Sequence, residues 1–326
     1  METLLAGLRA IAEASRLRLL HLLAQGELNV TEISSVLGQS QPRISRHLKL
    51  MCDAGLLDRY REGSWVLFRL KDNGAGAKLA RAVIEQLPQD ALQLKRDAEQ
   101  LLAVREARAE EARRYFKANA ANWHKLRALH VSEEEVENAW LKLVGEGRIG
   151  MLADLGTGTG RVLEVLAPFA EQAIGIDASR EMLGIARANL QKASLRNTQV
   201  RLGDVSALDL PNGCADLVTI HQVLHYLDDP AKALMEASRI LKPGGRVLVV
   251  DFAPHDLDFL REEHAHRRLG IAAEHMAGWL QRAGLEIAHF STLKPPKKSA
   301  KAGLTVSLWL AVKADGAGVK TRHKDA

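Results

Sequence analysis

Residues 154–160 are the segment of this sequence best suited to bind a ligand, because an acid precedes three glycines at alternate positions. The segment reads Asp-Leu-Gly-Thr-Gly-Thr-Gly. Glycines let the backbone approach a nucleoside without a clash from Cβ atoms, and the amino end of a following helix favours a carboxylate. The spacing departs from the Gly-x-Gly-x-x-Gly pattern of dinucleotide sites. We therefore expect a ligand that lacks a pyrophosphate but has an amino-acid tail.

The acids around this loop have distinct expected roles. Asp154 would bind the ammonium group of the tail, directly or through water; the alternative is a buried carboxylate satisfied by the protein's own donors. Asp177 ends the next apolar run, a little over twenty residues later, as a ribose-binding carboxylate requires. Asp204 follows a third run, where it can accept from an adenine amino group. Three acids at successive strand ends predict a nucleoside site.

Two histidines could move a proton beside that site. His221 and His225 occur in the segment His-Gln-Val-Leu-His-Tyr, directly after another apolar run. Histidine is the commonest general acid or base, so either ring is a candidate base. The alternative is that both rings line the pocket or serve as hydrogen-bonded structure. No metal site is predicted, because the later group has no metal-ligand spacing: His255, Glu263, His264, His266 and His275.

Alternating strands and helices would position these residues. Apolar runs predict strands at residues 151–154, 173–177, 200–201, 216–220 and 246–250, with a helix at 162–169 after the first. Such alternation is typical of βαβ units and a parallel sheet. The fold class is therefore α/β in this region, a doubly wound Rossmann-like sheet, added to an α+β segment that precedes it.

The amino-terminal segment predicts a helix-turn-helix. Two helices between residues 2 and 25 are divided at Ala14-Ser15, with Ser15 as the expected cap. A short helix at 31–37 ends at Gly38, and a third helix begins near Pro42, where a missing N–H costs least. Strands at 56–60 and 65–70 flank a tip at 61–64, which predicts a hairpin.

The third helix would present basic and polar side chains to the major groove of DNA. Ile44, His47 or Leu48, and Met51 fall at core spacing, which turns the remaining positions outward. The alternative is a three-helix protein-binding module whose basic residues are only solvated. The candidate DNA-binding residues are Ser40, Gln41, Arg43, Ser45, Arg46, His47, Lys49 and, on the hairpin, Arg61.

A helical connector is predicted between these regions. Pro88 divides it, and the pair Glu110 and Arg114 has the i,i+4 spacing of a helix. An apolar stripe is expected at Leu94, Ala98, Leu101 and Leu102, whereas residues 103–114 could equally be a solvated spacer. The aromatic group that follows would pack on the second domain or form a lid over its ligand: Tyr115, Phe116, Asn119 and Trp123.

Composition limits the remaining possibilities. The 326 residues carry a net charge of +5, which is compatible with nucleic acid but modest for this length. No apolar run approaches a membrane span and no signal peptide is recognisable, so we expect a cytoplasmic protein. Cys52 and Cys214 are not expected to pair. The expected domains are 1–74, the connector 75–147, the ligand domain 148–312 and a disordered tail 313–326.

Residues 3–72 resemble the winged helix-turn-helix of ArsR-type repressors, above all in residues 39–49 and in Ala-Gly-Leu-Leu at 54–57. The resemblance implies a homodimer on a two-fold DNA operator. Metal-sensing members carry a cysteine pair before the recognition helix, whereas this sequence has Asn29 and Thr31 there. Without thiolates the usual metal site cannot form. The effector would therefore bind elsewhere in the chain.

Residues 150–312 resemble class I S-adenosylmethionine-dependent methyltransferases, including Leu-Lys-Pro-Gly-Gly-Arg at 241–246 and a closing strand pair near 287–291 and 304–311. The cofactor would be S-adenosylmethionine or S-adenosylhomocysteine. Ubiquinone/menaquinone-type methyltransferases have similar aromatic segments before the glycine loop, which implies a contact from Tyr115. The other implied contacts are Asp154, Gly156, Thr157, Gly158, Gly160, Asp177, Ala178, Met182, Asp204, Val205 and His221.

Two functions fit this combination. The favoured one is a transcriptional regulator, a repressor, whose methyltransferase-like domain senses the cofactor or its product; the chain resembles ArsR-type regulators of this architecture, some of which control the methionine cycle. The alternative is an active methyltransferase of a small molecule with a fused DNA-binding domain. Arsenite methylation is disfavoured, because that chemistry depends on several cysteines and only two are present.

Overall fold

The computed structural model describes residues 1–62, 65–71, 74–88, 90–119, 133–145, 147–295 and 303–314. The chain divides into two compact units. The first contains residues 1–111 with 256–258, and the second contains residues 112–255 and 259–326. Within the described ranges, no helix combines the length and the apolar character that crossing a membrane requires.

The first unit begins with a helix-turn-helix, as predicted. Its elements are α1 (Glu2–Ile11), α2 (Ala14–Leu23), β1 (Leu28–Asn29), α3 (Val30–Leu37) and α4 (Gln41–Asp53). The predicted cap of α2 is wrong. Glu13, not Ser15, accepts the backbone N–H of Arg16 at 3.0 Å, because its extended backbone directs the carboxylate back over the first turn. The Ser15 hydroxyl instead accepts from the Gln39 side chain at 3.0 Å.

Local capping explains where α3 begins and ends. Asn29 and Glu32 form a reciprocal capping box, so the helix begins at Val30 rather than at the predicted residue 31. Gly38 ends the helix with a φ of +64°, a conformation that favours glycine. Pro42 lies in the first turn of α4, as predicted.

The predicted hairpin is confirmed. Strands β2 (Leu57–Glu62) and β3 (Trp65–Leu70) pair antiparallel, with Leu57 opposite Leu70. Strand β1 pairs with the other side of β3 and completes a three-stranded sheet. Gly63 and Ser64, the predicted tip, lie outside the described residues.

Two connector helices follow, α5 (Ala75–Gln86) and α6 (Leu92–Asn119), and α6 begins in the first unit and ends in the second. Leu94 and Leu101 are buried as predicted, at 7 % and 1 % exposure. Leu102 is 56 % exposed, so its place in the predicted apolar stripe is wrong. Its position, one residue after Leu101, rotates it away from the buried face of the helix.

A buried ion pair anchors α6 to the helix-turn-helix. Asp97 is 2 % exposed, and its two carboxylate oxygens each lie 2.7 Å from a guanidinium nitrogen of Arg18 on α2. The same Arg18 donates to the carbonyl of Leu37 at the end of α3, at 3.2 Å. Gln93 adds a donor to Asp97 at 3.0 Å. One arginine therefore ties three helices of the first unit together.

The second unit is a seven-stranded sheet with helices between its strands, which confirms the doubly wound α/β prediction. The strand order is β6-β5-β4-β7-β8-β10-β9, and within the described residues only β10 runs opposite to the other six strands. The strands are β4 (Ile149–Leu155), β5 (Ala170–Asp177), β6 (Thr198–Leu202), β7 (Ala215–His221), β8 (Leu241–Phe252), β9 (Leu285–Leu293) and β10 (Val306–Lys313).

The α-helices among the described residues of this unit, after the end of α6, are α7 (Glu133–Val144), α8 (Arg161–Leu166), α9 (Arg180–Lys192), α10 (Pro230–Ile240), α11 (Phe259–His264) and α12 (Ala273–Arg282). The central strands are long apolar runs because both faces of a parallel sheet are covered. After β4 the chain forms β5 on one side of β4, and it later forms β7 on the other side of β4. Ligands of such sheets bind where the strand order reverses, outside the carboxyl ends of the strands.

The end of the described chain corrects one prediction. Lys313 is the last residue of β10 and donates to the backbone carbonyls of Ser238 and Leu241, so the disordered tail does not start there. Residues 315–326, which hold most of the predicted tail, lie outside the described residues, as does Trp123 of the connector.

Candidate functional site

The glycine loop leaves β4 at the reversal point and is fixed by β5. The backbone N–H groups of Gly156 and Thr157 both donate to the carbonyl of Ile176, at 2.7 and 3.0 Å. Gly156 has a φ of +76°, and a Cβ there would lie 2.3 Å from a methyl carbon of Val223. Gly160 has a φ of +86° and precedes α8. Glycine is therefore required for both the turn and the packing at Gly156.

Asp177 is hydrogen-bonded to the glycine loop through Gly158, which is itself a predicted cofactor residue. One of its carboxylate oxygens accepts from Gly158 N at 2.8 Å and the other from Ser179 N at 2.8 Å. Burial raises the pKa of this carboxyl, although the backbone donors of Ser179, Gly158 and Ala178 oppose the rise. The acid is thus oriented before any ligand arrives, and each oxygen keeps a second lone pair for a ribose hydroxyl.

Asp154, at the end of β4, is almost completely buried. Its exposure is 1 %, and Oδ1 accepts from the hydroxyl of Thr219 on β7 at 2.7 Å. Sequence reasoning did not single out Thr219, a polar residue that interrupts the apolar residues Leu217, Val218 and Ile220 of β7. One of the two carboxylate oxygens is thus bonded within the protein, and the role of Asp154 toward the ligand tail stays a prediction.

The remaining predicted cofactor residues surround the carboxyl ends of β5 and β6. Met182 and Val205 are buried at 2 % and 7 % exposure, and Ala178 is exposed. Asp204 is exposed, and its carboxylate accepts from Ser206 N at 2.7 Å. The structure thus brings these residues to the edge of the sheet where Asp177 lies.

The segment after β7 carries backbone strain. His221 ends the strand, half-buried, with its ring centroid 6.1 Å from that of Trp140. The next residue, Gln222, has a φ of +55°, and its N–H donates to the carbonyl of Val250 at 2.7 Å. Non-glycine residues with positive φ concentrate at ligand sites, because tertiary structure must hold them there.

The second candidate base, His225, has a partner that the sequence analysis missed. Its Nδ1 lies 2.7 Å from Oδ1 of Asp251, and the two residues are 1 % and 0 % exposed. Asp251 occurs within the apolar run of β8, and an acid inside such a run is the signal that could have identified it.

Tyr115, the predicted lid residue, lies near the end of α6. Its hydroxyl is 2.7 Å from Nδ1 of His264, and the side-chain amide of Asn119 donates to its carbonyl at 2.9 Å. The neighbouring Phe116 packs edge-on against Tyr226, with ring centroids 4.8 Å apart. These contacts place the aromatic segment on the second unit beside the loop that follows β7.

We expect Tyr115 to make the stability of the folded protein sensitive to alkaline pH. Burial raises the pKa of this phenol to about 12. The unfolded chain therefore loses the proton first, and the stabilisation is complete below about pH 10 and lost as the pH rises toward 12. Between pH 9 and pH 11 we expect the free energy of unfolding to fall by about 1 kcal/mol more in the wild type than in Tyr115→Phe, measured by urea denaturation. Equal losses in the two proteins would contradict the raised pKa.

The recognition helix α4 exposes the side chains predicted to read DNA. Arg43, Ser45, Arg46 and Lys49 are exposed, whereas Ile44, Leu48 and Met51 are fully buried. Ser40 and Gln41, at the amino end of the helix, and Arg61 on β2 are also exposed. His47 is turned inward, with 12 % of its side chain exposed and Nε2 4.0 Å from Glu13, so it offers little surface to a partner.

The residues present fit an adenosyl ligand with an amino-acid tail. The Thr157 hydroxyl is buried and has no hydrogen-bond partner among the described residues. Buried hydroxyls are normally bonded, so this one has capacity for a ligand atom. Gly158, Asp177 and the strained Gln222 surround the same carboxyl edge of the sheet. Within the described part of the chain, no group of three or more His, Cys, Asp or Glu side chains is placed to hold a metal ion.

Comparison with known proteins assigns the two regions separately. Residues 14–59 match the model for bacterial regulatory proteins of the arsR family, and residues 153–249 match a methyltransferase domain. An uncharacterized methyltransferase of Bacillus subtilis, YcgJ, is 34% identical over 104 residues, which are 32% of this chain and 41% of that protein. Demethylmenaquinone methyltransferase of Thermus thermophilus is 43% identical over 108 residues, 32% of this chain and 47% of that protein.

A solved structure agrees with the fold. The putative methyltransferase in complex with the Haloferax volcanii Trm112 activator has a TM-score of 0.51 at 20% identity, covering 61% of this chain and 97% of that chain. This chain spans less than half the length of the first curated relatives it matches. The chain joins a helix-turn-helix that matches the arsR family to a domain that matches the methyltransferase model and has a Rossmann-like sheet.

Proposed function

We propose that this protein is a DNA-binding transcriptional repressor whose methyltransferase-like domain binds S-adenosylmethionine or S-adenosylhomocysteine as its effector. The observation that carries the proposal is the presence, in one chain, of an exposed basic recognition helix and a glycine loop already bonded to the ribose-binding acid. The methionine or methyl cycle is the expected target, from the resemblance of the chain to regulators of this architecture. The domain boundaries at 74 and 147 belong to the same proposal.

The first unit supports operator binding as a homodimer. The exposed face of α4 carries two arginines and a lysine, which suits phosphate and base contacts in the major groove. On α1, Leu4, Leu5 and Leu8 are 47 %, 43 % and 45 % exposed. Such an apolar stripe is a surface that a second copy would cover, which two-fold operators require.

The second unit supports an effector of the adenosyl class. Asp177 would accept from the ribose hydroxyls, and Gly156 and Gly158 would admit the ligand close to the backbone. When bound, S-adenosylmethionine supplies a sulfonium methyl group and a positive charge that its product lacks. The two ligands therefore differ electrostatically, and only a difference in their affinity for DNA-binding and non-binding states can drive a switch.

The proposal is tested by fluorescence anisotropy on a labelled fragment of the protein's own promoter. DNA is bound first, and S-adenosylhomocysteine and S-adenosylmethionine are then titrated separately. We expect one ligand to change the dissociation constant for DNA at least tenfold more than the other, a coupling of about 1.4 kcal/mol. If both ligands bind by calorimetry and neither changes the DNA affinity, the sensor role is refuted.

Arg46→Ala should weaken DNA binding directly. Arg46 is exposed on the recognition helix, so its loss removes one cation from the DNA surface. We expect the affinity for DNA to fall about tenfold. If Arg46 contacts a phosphate, a plot of the logarithm of the affinity against the logarithm of the salt concentration should also become less steep, by about one unit of slope. Lys95→Ala, which removes an exposed cation from α6, is the matched control. Equal effects of the two substitutions would argue against α4 as the reader.

The alternative function is methyl transfer to a small molecule. It is favoured by the buried pair His225 and Asp251, which resembles an oriented base rather than a ligand contact alone. Two similar proteins are named as methyltransferases, one of them for demethylmenaquinone. The two functions are compatible in one domain, since product formation would itself change the effector.

A further inference from the structure

The edge of the second unit formed by α9, the turn after it and β6 is strongly basic. Residues 180–202 contain five Lys or Arg residues and a single acid, Glu181, which lies 3.8 Å from the ammonium group of Lys117. The segment therefore has a net charge of +4, close to the +5 of the whole chain. Its five cations, here called the basic edge, are all exposed: Arg180, Arg187, Lys192, Arg196 and Arg201.

Acidic side chains do not neutralise the basic edge. Within the described residues, Arg187 and Arg196 make no ion pair, and the guanidinium group of Arg201 bonds only to the neutral side chain of Gln199, at 3.0 and 3.2 Å. Arg239 of the same unit, by contrast, bonds to a glutamate. Like charges without counter-charges repel one another, and an anion from outside the protein would relieve this repulsion.

An open groove of about 600 Å³ lies beside these cations, between the end of α9 and β6. Arg187 and Arg196 line it together with four polar side chains: Gln191, Ser194, Thr198 and Gln199. Strand β6 is the edge strand of the sheet, so no further strand covers this side among the described residues. Pockets for small organic molecules are mostly apolar, whereas guanidinium, amide and hydroxyl groups are the usual contacts of nucleic-acid phosphates.

The arginines form a row that is longer than one phosphate group. Arg180 and Arg187 are seven residues apart on α9, which places them on nearly the same side of the helix and about 10 Å apart along its axis. Arg196, at the groove, follows the helix. Duplex DNA carries one negative charge per about 1.7 Å of its axis, so several phosphates can meet cations at this spacing. A small phosphate ligand would contact only part of the row.

Gly184 keeps the helix surface between the two arginines of α9 free of a side chain. It lies four residues after Arg180 and three before Arg187, and it is exposed. A Cβ there would meet no heavy atom within 4 Å, so packing among the described residues does not require glycine. Glycine inside a helix is destabilising relative to alanine. A bare surface between two arginines suits the close approach of a sugar-phosphate backbone.

From these observations we infer that the basic edge binds the phosphate backbone of the duplex DNA that flanks the operator. Four of its five cations are arginines, whose planar guanidinium group matches phosphate through two hydrogen bonds. The inference rests on the DNA binding of the proposed function and adds a second contact surface to it. Because one chain carries both surfaces, binding through α4 raises the local concentration of DNA at the basic edge. The contact adds affinity without reading sequence.

The test compares two duplexes that contain the same operator, located in the promoter by nuclease footprinting. Fluorescence anisotropy measures the affinity of the full-length protein for a duplex of about 20 base pairs, which spans two half-sites, and for one of about 60 base pairs. We expect the wild type to bind the longer duplex about tenfold more tightly. Arg187→Gln combined with Arg196→Gln should bind both duplexes with the affinity that the wild type has for the shorter one.

Salt dependence identifies the contact as one with phosphate. On the longer duplex, a plot of the logarithm of the affinity against the logarithm of the salt concentration should be less steep by about two units in the double variant, because each phosphate contact contributes about 0.9. Gly184→Gln should lose the preference for the longer duplex, because its side chain blocks the approach. Lys142→Gln combined with Lys232→Gln, which removes exposed cations from α7 and α10, is the matched control and should keep it.

Two further measurements exclude a lost fold and a smaller ligand. The double variant of Arg187 and Arg196 should unfold at the wild-type urea concentration, since both side chains are exposed. In calorimetry, tripolyphosphate should bind the wild type no more tightly than it binds this variant. If it binds the wild type more tightly while the two proteins bind the longer duplex equally, the groove holds a small phosphate ligand and the DNA contact is refuted.

The outcomes distinguish this inference from the proposed function. A wild-type protein that binds neither duplex refutes the DNA binding of the proposed function itself. A wild-type protein that binds both duplexes equally refutes only the basic edge, as does a double variant that still prefers the longer duplex. Arg46→Ala should weaken binding to both duplexes alike, since α4 would contact the operator in each.

Discussion

Asp177→Asn is expected to lower the affinity for S-adenosylhomocysteine about 100-fold while leaving DNA binding unchanged. In the structure both carboxylate oxygens accept backbone N–H groups, from Gly158 and Ser179. An asparagine offers one acceptor only, so its amide NH₂ must face a second donor. The substitution therefore disturbs the glycine loop and also removes charge-assisted hydrogen bonds to the ribose, each contributing about 1.5–3 kcal/mol. Calorimetric titration of the ligand measures the loss.

A matched substitution shows whether the effect is local. Asp209→Asn neutralises an exposed acid of the same unit and should leave the dissociation constant within about twofold of the wild type.

The pH dependence of ligand affinity is a second check, made on the wild type. Because burial raises the pKa of Asp177, affinity should begin to fall at a higher pH than an ordinary carboxyl would give. Asp177→Asn should lack this dependence, and an unchanged affinity in that variant would place the ribose elsewhere.

Local patterns were sufficient to predict the glycine loop and the strand end that form the candidate ligand site. The glycine loop and Asp177 were identified by spacing alone, because the turn between β4 and α8 and the end of β5 are each defined by a few consecutive residues. The recognition helix was predicted for a similar reason. The inward spacing of Ile44, Leu48 and Met51 fixes which side of α4 remains exposed.

The interactions that sequence reasoning missed are contacts between distant segments. Asp251 is 26 residues from His225, and Thr219 is 65 residues from Asp154, so no helical or strand period connects them. A signal was nevertheless present for Asp97. It lies three residues after Leu94 and four before Leu101, on the predicted buried stripe of α6, where an acid requires a partner. The partner, Arg18, is 79 residues away and could not be inferred.

Asp97→Ala is expected to lower the free energy of unfolding by about 3 kcal/mol, the largest stability effect of any single substitution considered. The change leaves Arg18, whose side chain is only 17% exposed, without its carboxylate. Removing one partner of a buried ion pair lowers the free energy of unfolding by about 3–5 kcal/mol, because the remaining charge stays desolvated. Since Arg18 is partly exposed, we expect a loss at the lower end of this range. Urea denaturation monitored by circular dichroism measures the loss.

Comparison with two further variants decides whether the ion pair itself is responsible. Glu99→Ala removes an exposed acid from the same helix and should change the stability by no more than about 0.5 kcal/mol. Arg18→Met combined with Asp97→Leu replaces the pair by apolar side chains and should recover much of the loss, since no buried charge is left uncompensated. A double variant no more stable than Asp97→Ala would contradict this explanation. The remaining loss in the double variant would then be attributed to the missing bond from Arg18 to the Leu37 carbonyl, which holds the end of α3 before the recognition helix.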